Sequence, residues 1–150
     1  MPKTKKVTLL DRAKADLKVA KITLPQVSSE EVLIDICAYH CQQCVEKVAK
    51  YMITKQGDLY AVDHRMSVYL EDLRDGEIKT MIENITIDID AWATFARYRN
   101  AILASAKEVG EIIKICDELI KLAEDEHPEN GTDKTASDYI KKLSSDKFNG

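Results

Sequence analysis

Apolar residues recur along this chain in steps of three and four, the period of an α-helix that buries one face. Leu10, Ala13, Leu17, Ala20 and Leu24 form the first such stripe. Thr8 followed by Asp11 is an acidic capping box in front of it, and Pro25 closes it. Ser28 with Glu31 repeats the start signal for a second helix, whose stripe runs Leu33, Cys37, Cys41, Cys44, Val48 and Met52 until Gly57 stops it. A shorter helix is predicted next, with Val62, Met66, Leu70 and Leu73 on one side and Gly76 beyond its end.

The segment 77–99 carries two patterns. Ile85, Ile87 and Ile89 alternate with polar residues, which alone suggests a strand. Ile78, Ile82, Ile85, Ile89, Trp92 and Ala96 fit helical steps over a longer span, and a lone strand would have no partner. A helix is predicted, irregular near Thr86, with its continuity left open. The last long element is the most regular: Ile102, Ala106, Val109, Ile113, Cys116, Ile120 and Ala123 alternate steps of four and three. Gly110 inside it is read as a point of close helix packing. After His127-Pro128 the chain turns polar and offers one weak helical turn around Tyr139 to Leu143. The expected fold is all-α: an antiparallel up-and-down bundle of four to five main helices over residues 1–127, followed by a polar C-terminal tail, 128–150.

Composition narrows the function classes. Hydrophobic residues make up 45% and charged residues 32% of the 150, with only five Gly and three Pro, a helix-favouring globular profile. A formal charge of -4 argues against a surface that coats nucleic acid generally, and leaves room for a local basic site. No apolar run approaches the roughly 18 to 20 residues that span a bilayer. The basic start Met1 to Lys6 is followed by Asp11, Arg12, Lys14 and Asp16, so it lacks the apolar core of a signal peptide. A cytoplasmic protein with reduced thiols and no membrane contact is expected.

Cys37, Cys41 and Cys44 share one helical face with Leu33, Val48 and Met52, where reduced cysteines act as small buried hydrophobes. A zinc site would need a knuckle and a second ligand pair, which only Cys116 and a histidine could supply. The core reading is preferred, and no metal or cofactor is expected. His40, one turn before Cys44, is read as a histidine satisfied at a helix–helix contact rather than half of a Cys-His nucleophilic pair. Gln42, Gln43, Glu46 and Lys50 are read as helix-surface residues. Arg97-Tyr98-Arg99-Asn100 falls between two long helices, where loop side chains and a helix N-terminus can converge on a phosphate and a tyrosine can stack on a base. A solvated connection that happens to carry two arginines is the competing reading. Gly-rich phosphate loops, Gly-x-Ser-x-Gly elbows and His-Glu-x-x-His helices are absent from the sequence.

Three motifs in this helix order carry a family resemblance. The strongest is Tyr39-His40-Cys41-Gln42-Gln43-Cys44-Val45-Glu46-Lys47, an aromatic-His-small-Gln-Gln-small-x-Glu-Lys pattern. The others are Asp63-His64-Arg65-Met66 at a helix start and Ala96-Arg97-Tyr98 before the final helix. With the first helix they resemble the HEPN (higher eukaryotes and prokaryotes nucleotide-binding) family over about residues 9 to 125. The resemblance implies a helical bundle that usually pairs into a homodimer, in a family of RNases, toxins encoded beside small nucleotidyltransferases, and nucleotide-binding domains. RNase members carry an Arg followed about four to six residues later by a His, which would steady the scissile phosphate and move the proton of the 2'-hydroxyl. Here the residues after Arg97 and Arg99 are Ile102, Leu103, Ala104, Ser105 and Ala106, and the next histidine is His127. Arg99 also stands where the family often has proline, and Arg65 where it often has aspartate. The expectation is therefore a protein without the usual RNase motif that binds a nucleotide or RNA phosphate through Arg97, Tyr98, Arg99, Asn100 and His64. Its expected setting is beside a nucleotidyltransferase-type partner in a toxin-antitoxin-like pair. The alternatives are an RNase with a relocated histidine, His64 or His40, and a bundle used purely for protein interaction.

Overall fold

Each predicted stripe becomes a helix for a local reason. The structure, a computed structural model, describes residues 6–63, 65–95 (backbone only for 93–95) and 104–128. Helix α1 spans Leu9–Thr23. The Thr8 hydroxyl accepts from the Asp11 amide at 3.1 Å while the Asp11 carboxylate accepts from the Thr8 amide at 3.1 Å, so the capping box forms as expected. The chain then leaves through a 3-10 turn, Leu24–Gln26, begun by Pro25.

The Ser28–Glu31 capping box does not form. The Ser28 hydroxyl turns back to the Pro25 carbonyl at 3.3 Å, and short backbone bonds from Ser29 and Glu30 to Gln26 continue the turn. Helix α2, Leu33–Lys55, therefore starts several residues later, behind Val32 and with no side-chain cap. At its other end the expected stop holds. Gly57 adopts a φ of 89°, which lets the Asp58 amide reach the Ile53 carbonyl.

Helix α3 is Met66–Asp72, shorter than its stripe: Val62 lies outside it, fully exposed, and Leu73 is buried just beyond it. Helix α4 runs unbroken over Glu77–Phe95. The Thr86 hydroxyl donates to the Ile82 carbonyl at 2.6 Å, so it is satisfied without a break. Ile85 and Ile89 are buried while Ile87 is 86% exposed, the outcome a helix requires and a half-buried strand forbids. Residues 96–99 of the predicted segment lie outside the described ones. Helix α5, Ala106–Glu126, opens on a second capping box, Ser105 with Glu108, and buries Val109, Ile113, Cys116, Ile120 and Ala123 as the pattern indicates.

Side-chain contacts set the directions. Lys21 pairs with Asp117 at 2.7 Å and Lys14 with Glu124, so α1 runs antiparallel to α5. Cys37 Sγ lies 3.8 Å from the Ala20 carbonyl and His40 meets Asp16, which sets α1 antiparallel to α2. Cys116 Sγ against the Cys41 carbonyl (3.9 Å) and the Tyr51 hydroxyl on the His127 carbonyl (2.7 Å) make α2 and α5 parallel. The result is an all-α, up-down-up-down bundle with α3 bridging α2 and α4. Every other helix packs on α2. Its cysteine stripe serves one side, and Ile34, Ala38, Val45, Ala49 and Ile53 form a second buried stripe beside it.

The four cysteines are fully buried, as the core reading expects. Burial and the neighbouring Cys41 push the Cys37 thiol up to about 11. Contacts with the Cys41 and Cys44 thiols, then burial, raise Cys116 well above the usual thiol value. Gly110 does not mark a tight contact. A methyl at its Cβ position would meet only Leu24 Cδ2, at an ordinary 3.8 Å. No helix among the described residues is long and apolar enough to cross a membrane. Of the predicted tail 128–150, all but Pro128 lies outside the described residues.

Candidate functional site

His40, Gln43, Lys47 and Lys50 recur in steps of three and four and form the polar edge of α2, between α1 on one side and α3 on the other. On the α1 side, Asp16 receives two groups from α2. Its Oδ1 lies 2.8 Å from His40 Nδ1 and its Oδ2 accepts from the Lys47 ammonium. The three side chains are 13%, 25% and 22% exposed, so this clasp is largely withdrawn from water. The His40 ring also stands edge-on to Tyr39 at 5.3 Å. It is thus held at a helix–helix contact, as its position in the sequence suggests.

On the α3 side the sequence reading is corrected. Gln42 and Glu46 are not surface residues; they are 1% and 2% exposed. The reason is the second stripe of α2, which widens the buried face enough to cover both. One oxygen of each is met locally: the Gln43 side-chain nitrogen lies 2.7 Å from Gln42 Oε1 and 3.3 Å from Glu46 Oε2. Lys50 also departs from the surface reading. Its side chain is 20% exposed, with Nζ 4.0 Å from Glu46 Oε1 and 5.3 and 5.7 Å from the ring centres of Tyr60 and Tyr69. Tyr69 is fully buried, and its hydroxyl donates to the Asp63 carbonyl with the Ala61 carbonyl 3.1 Å away. Burial pushes its phenol up to about 12, with the Glu46 and Asp63 charges adding to the shift.

This network fixes the entry to α3. Asp63 accepts from the Arg65 amide at 2.8 Å and from its guanidinium at 3.0 and 3.2 Å. The Asp63 contact raises the Arg65 guanidinium above its usual value. The next amide, Met66, donates at 2.6 Å to Asp90 of α4, which caps α3 from across the bundle. Asp16, Tyr69 and Asp90 were not singled out from the sequence as partners of these motifs. Asp16 and Asp90 lie on different helices from the groups they serve, and Tyr69 reaches back to the segment that enters its own helix; no local spacing signals these pairings.

His64, Arg97, Tyr98, Arg99 and Asn100 lie outside the described residues. Their described neighbours are placed: Asp63 and Arg65 at the start of α3, Phe95 at the end of α4, and Ala104 and Ser105 before α5. The start of α5 is less open to an anion than a bare helix N-terminus. Ser105 Oγ already accepts from the Glu108 amide, and the Glu108 carboxylate sits in the first turn. Beside it, Val27, Ser28, Glu31 and Ile34 face Ala104 and Ser105 across a cavity of about 390 Å³. Among the described residues, no three His, Cys, Asp or Glu side chains are grouped to hold a metal ion.

The family model for the HEPN domain matches residues 7–126, which takes in the α2 motif, the α3 entry and the Arg97 junction together. No curated protein and no solved structure gives a significant match.

Proposed function

For a chain that belongs to the HEPN domain family, we propose a non-hydrolytic role: binding a nucleotide or an RNA phosphate through Arg97 and Arg99, with Tyr98 stacking on a base and Asn100 and His64 as further hydrogen-bonding groups. The observation that carries this reading is the bond from the Met66 amide to Asp90. It pins the residues flanking His64 to α4 five residues before Phe95, about 7 to 8 Å along the helix axis at ~1.5 Å per residue. The described ends of the two sequence motifs with anion-binding chemistry therefore belong to the same end of the bundle. Arginine suits that chemistry because its planar fork presents paired donors to phosphate oxygens.

The chemistry of the described groups favours binding over cleavage. His40 is held by Asp16, the thiols are buried with Cys37 and Cys116 raised, and His127 stands at the far end of α5. Of the three histidines in the chain, His64 alone is left as an acid–base group for an RNase reaction on this side. In this reading the protein works as a homodimer beside a small nucleotidyltransferase, in a toxin-antitoxin-like pair.

Titration with ATP, GTP and short RNA at low salt tests the proposal, because phosphate contacts are strongest there. Saturable binding that Arg97→Ala and Arg99→Ala weaken is the expected result, and no binding of any of the three sinks it. RNA cleavage by the wild type that His64→Ala abolishes would replace it with the RNase reading. Failure of every ligand, together with capture of a defined protein partner, would leave the interaction-module reading.

A further inference from the structure

Glu46 and Lys50 of α2 take no part in the phosphate contacts given to Arg97 and Arg99, yet Glu46 is buried and the Lys50 side chain is only 20% exposed. Both stand beside the connection 56–65, which carries the chain from α2 into α3. Connections ordinarily run over the surface and are held loosely. This one is held by three helices at once.

From α2, Lys50 Nζ stands over two rings, 5.3 Å from the centre of Tyr60 in the connection and 5.7 Å from that of Tyr69 in α3. Glu46 Oε1 is 4.0 Å from the same ammonium. From α3, the Tyr69 hydroxyl donates to the Asp63 carbonyl, lies 3.1 Å from the Ala61 carbonyl and accepts from the Asp63 amide at 3.3 Å. From α4, Asp90 accepts from the Met66 amide at 2.6 Å.

These holds act on the backbone, not on the side chains that the connection itself carries. Val62 is fully exposed and the Arg65 side chain is 67% exposed, so fixing this stretch buries little of its own surface. Tyr69 is fully buried, and a phenylalanine would fill the same space with no hydroxyl to satisfy. The phenol is thus spent on the connection rather than on the core. Ordering a connection costs conformational entropy, and here the cost falls on folding instead of on the later capture of a ligand.

We propose that Tyr69 is a positioning residue for the ligand site: its hydroxyl, braced by Glu46 and Lys50 of α2, holds the connection at Ala61 and Asp63 in the conformation that meets the ligand. This rests on the reading given to the Arg97 junction and His64, and it gives the buried polar groups of α2 a task at that site.

ATP and short-RNA binding at low salt by Tyr69→Phe, Lys50→Met and Tyr51→Phe, each compared with the wild type, tests this. Tyr51→Phe is the control, since it removes another buried phenol's bond, to the His127 carbonyl at the end of α5. Tyr69→Phe should weaken binding about tenfold, the loss expected when about one molecule in ten keeps the competent conformation. Lys50→Met should weaken it too, and Tyr51→Phe should leave it unchanged. In a His64→Ala background Tyr69→Phe should have no further effect. Without ligand, Tyr69→Phe should speed hydrogen exchange at the Asp63, Arg65 and Met66 amides and leave α5 as it was. Wild-type affinity in folded Tyr69→Phe or Lys50→Met overturns this inference alone, as does equal weakening by Tyr51→Phe. So does an undiminished effect of Tyr69→Phe in the His64→Ala background, or unaltered exchange at the three amides. No binding by the wild type removes the reading of the junction, and this inference with it.

Discussion

Replacing Asp16 by alanine removes the carboxylate that α1 offers to two groups of α2 at once. Breaking a buried ion pair costs about 3 to 5 kcal/mol, and an exposed one about 0 to 1. With side chains 13%, 25% and 22% exposed, the Asp16, His40 and Lys47 clasp falls between these limits. A loss of about 2 to 3 kcal/mol is expected, which for a domain of this size lowers Tm by roughly 6 to 15 °C. Most of the loss comes from leaving Lys47 and His40 half-buried without their partner, so adding Lys47→Met to Asp16→Ala should return about 1 kcal/mol. Thermal and urea unfolding of the single and double variants measure both quantities. A Tm change under about 3 °C, or strict additivity of the two substitutions, would refute the clasp as a stabilising unit. The same variant bears on function. If His40 is held for structure, folded Asp16→Ala retains ligand binding, and a selective loss of binding would move the clasp into the site.

Three further outcomes follow from the packing. Gly110→Ala should stabilise the protein by about 0.5 to 1 kcal/mol, because the methyl meets only ordinary contact with Leu24 and the unfolded chain loses freedom; a lower Tm would show that the site is tighter than described. Stability should decline as pH rises through about 9 to 12. Cys37 is raised from 9.0 to about 11 and Tyr69 from 10.0 to about 12, so the folded state keeps protons that the unfolded chain has released. Their contribution is intact below about pH 9 and lost progressively as pH rises through about 12. Urea midpoints across that range measure the slope, and Cys37→Ala should flatten it. All four thiols should resist a thiol reagent until the protein unfolds, since each is fully buried; rapid reaction of any one of them in the native state would contradict the core assignment.

The local signals along the chain divide into those that hold in the fold and those that do not. Thr8 with Asp11, Gly57, and Ser105 with Glu108 act within a few residues of themselves; the first two are expected from the sequence, and the Ser-x-x-Glu spacing signals the third in the same way. Ser28 with Glu31 has the same spacing and fails, because the turn begun at Pro25 offers its hydroxyl a nearer carbonyl. Gln42 and Glu46 misled for a different reason. A single stripe on α2 was enough to predict a helix, but only a helix surrounded on both sides buries the residues next to that stripe.

The order of amino acids therefore decides where helices form and which face of each is apolar, since both depend on neighbours three or four residues away, and its motifs carry the family resemblance. Tertiary structure decides which polar groups meet: Asp16 with His40 and Lys47, Asp90 with the start of α3, and Lys50 with Tyr60 and Tyr69. The physical reason is distance along the chain. Burial periodicity repeats every turn of a helix, whereas the partner of a buried charge stands on another helix, and only the packed bundle sets that separation.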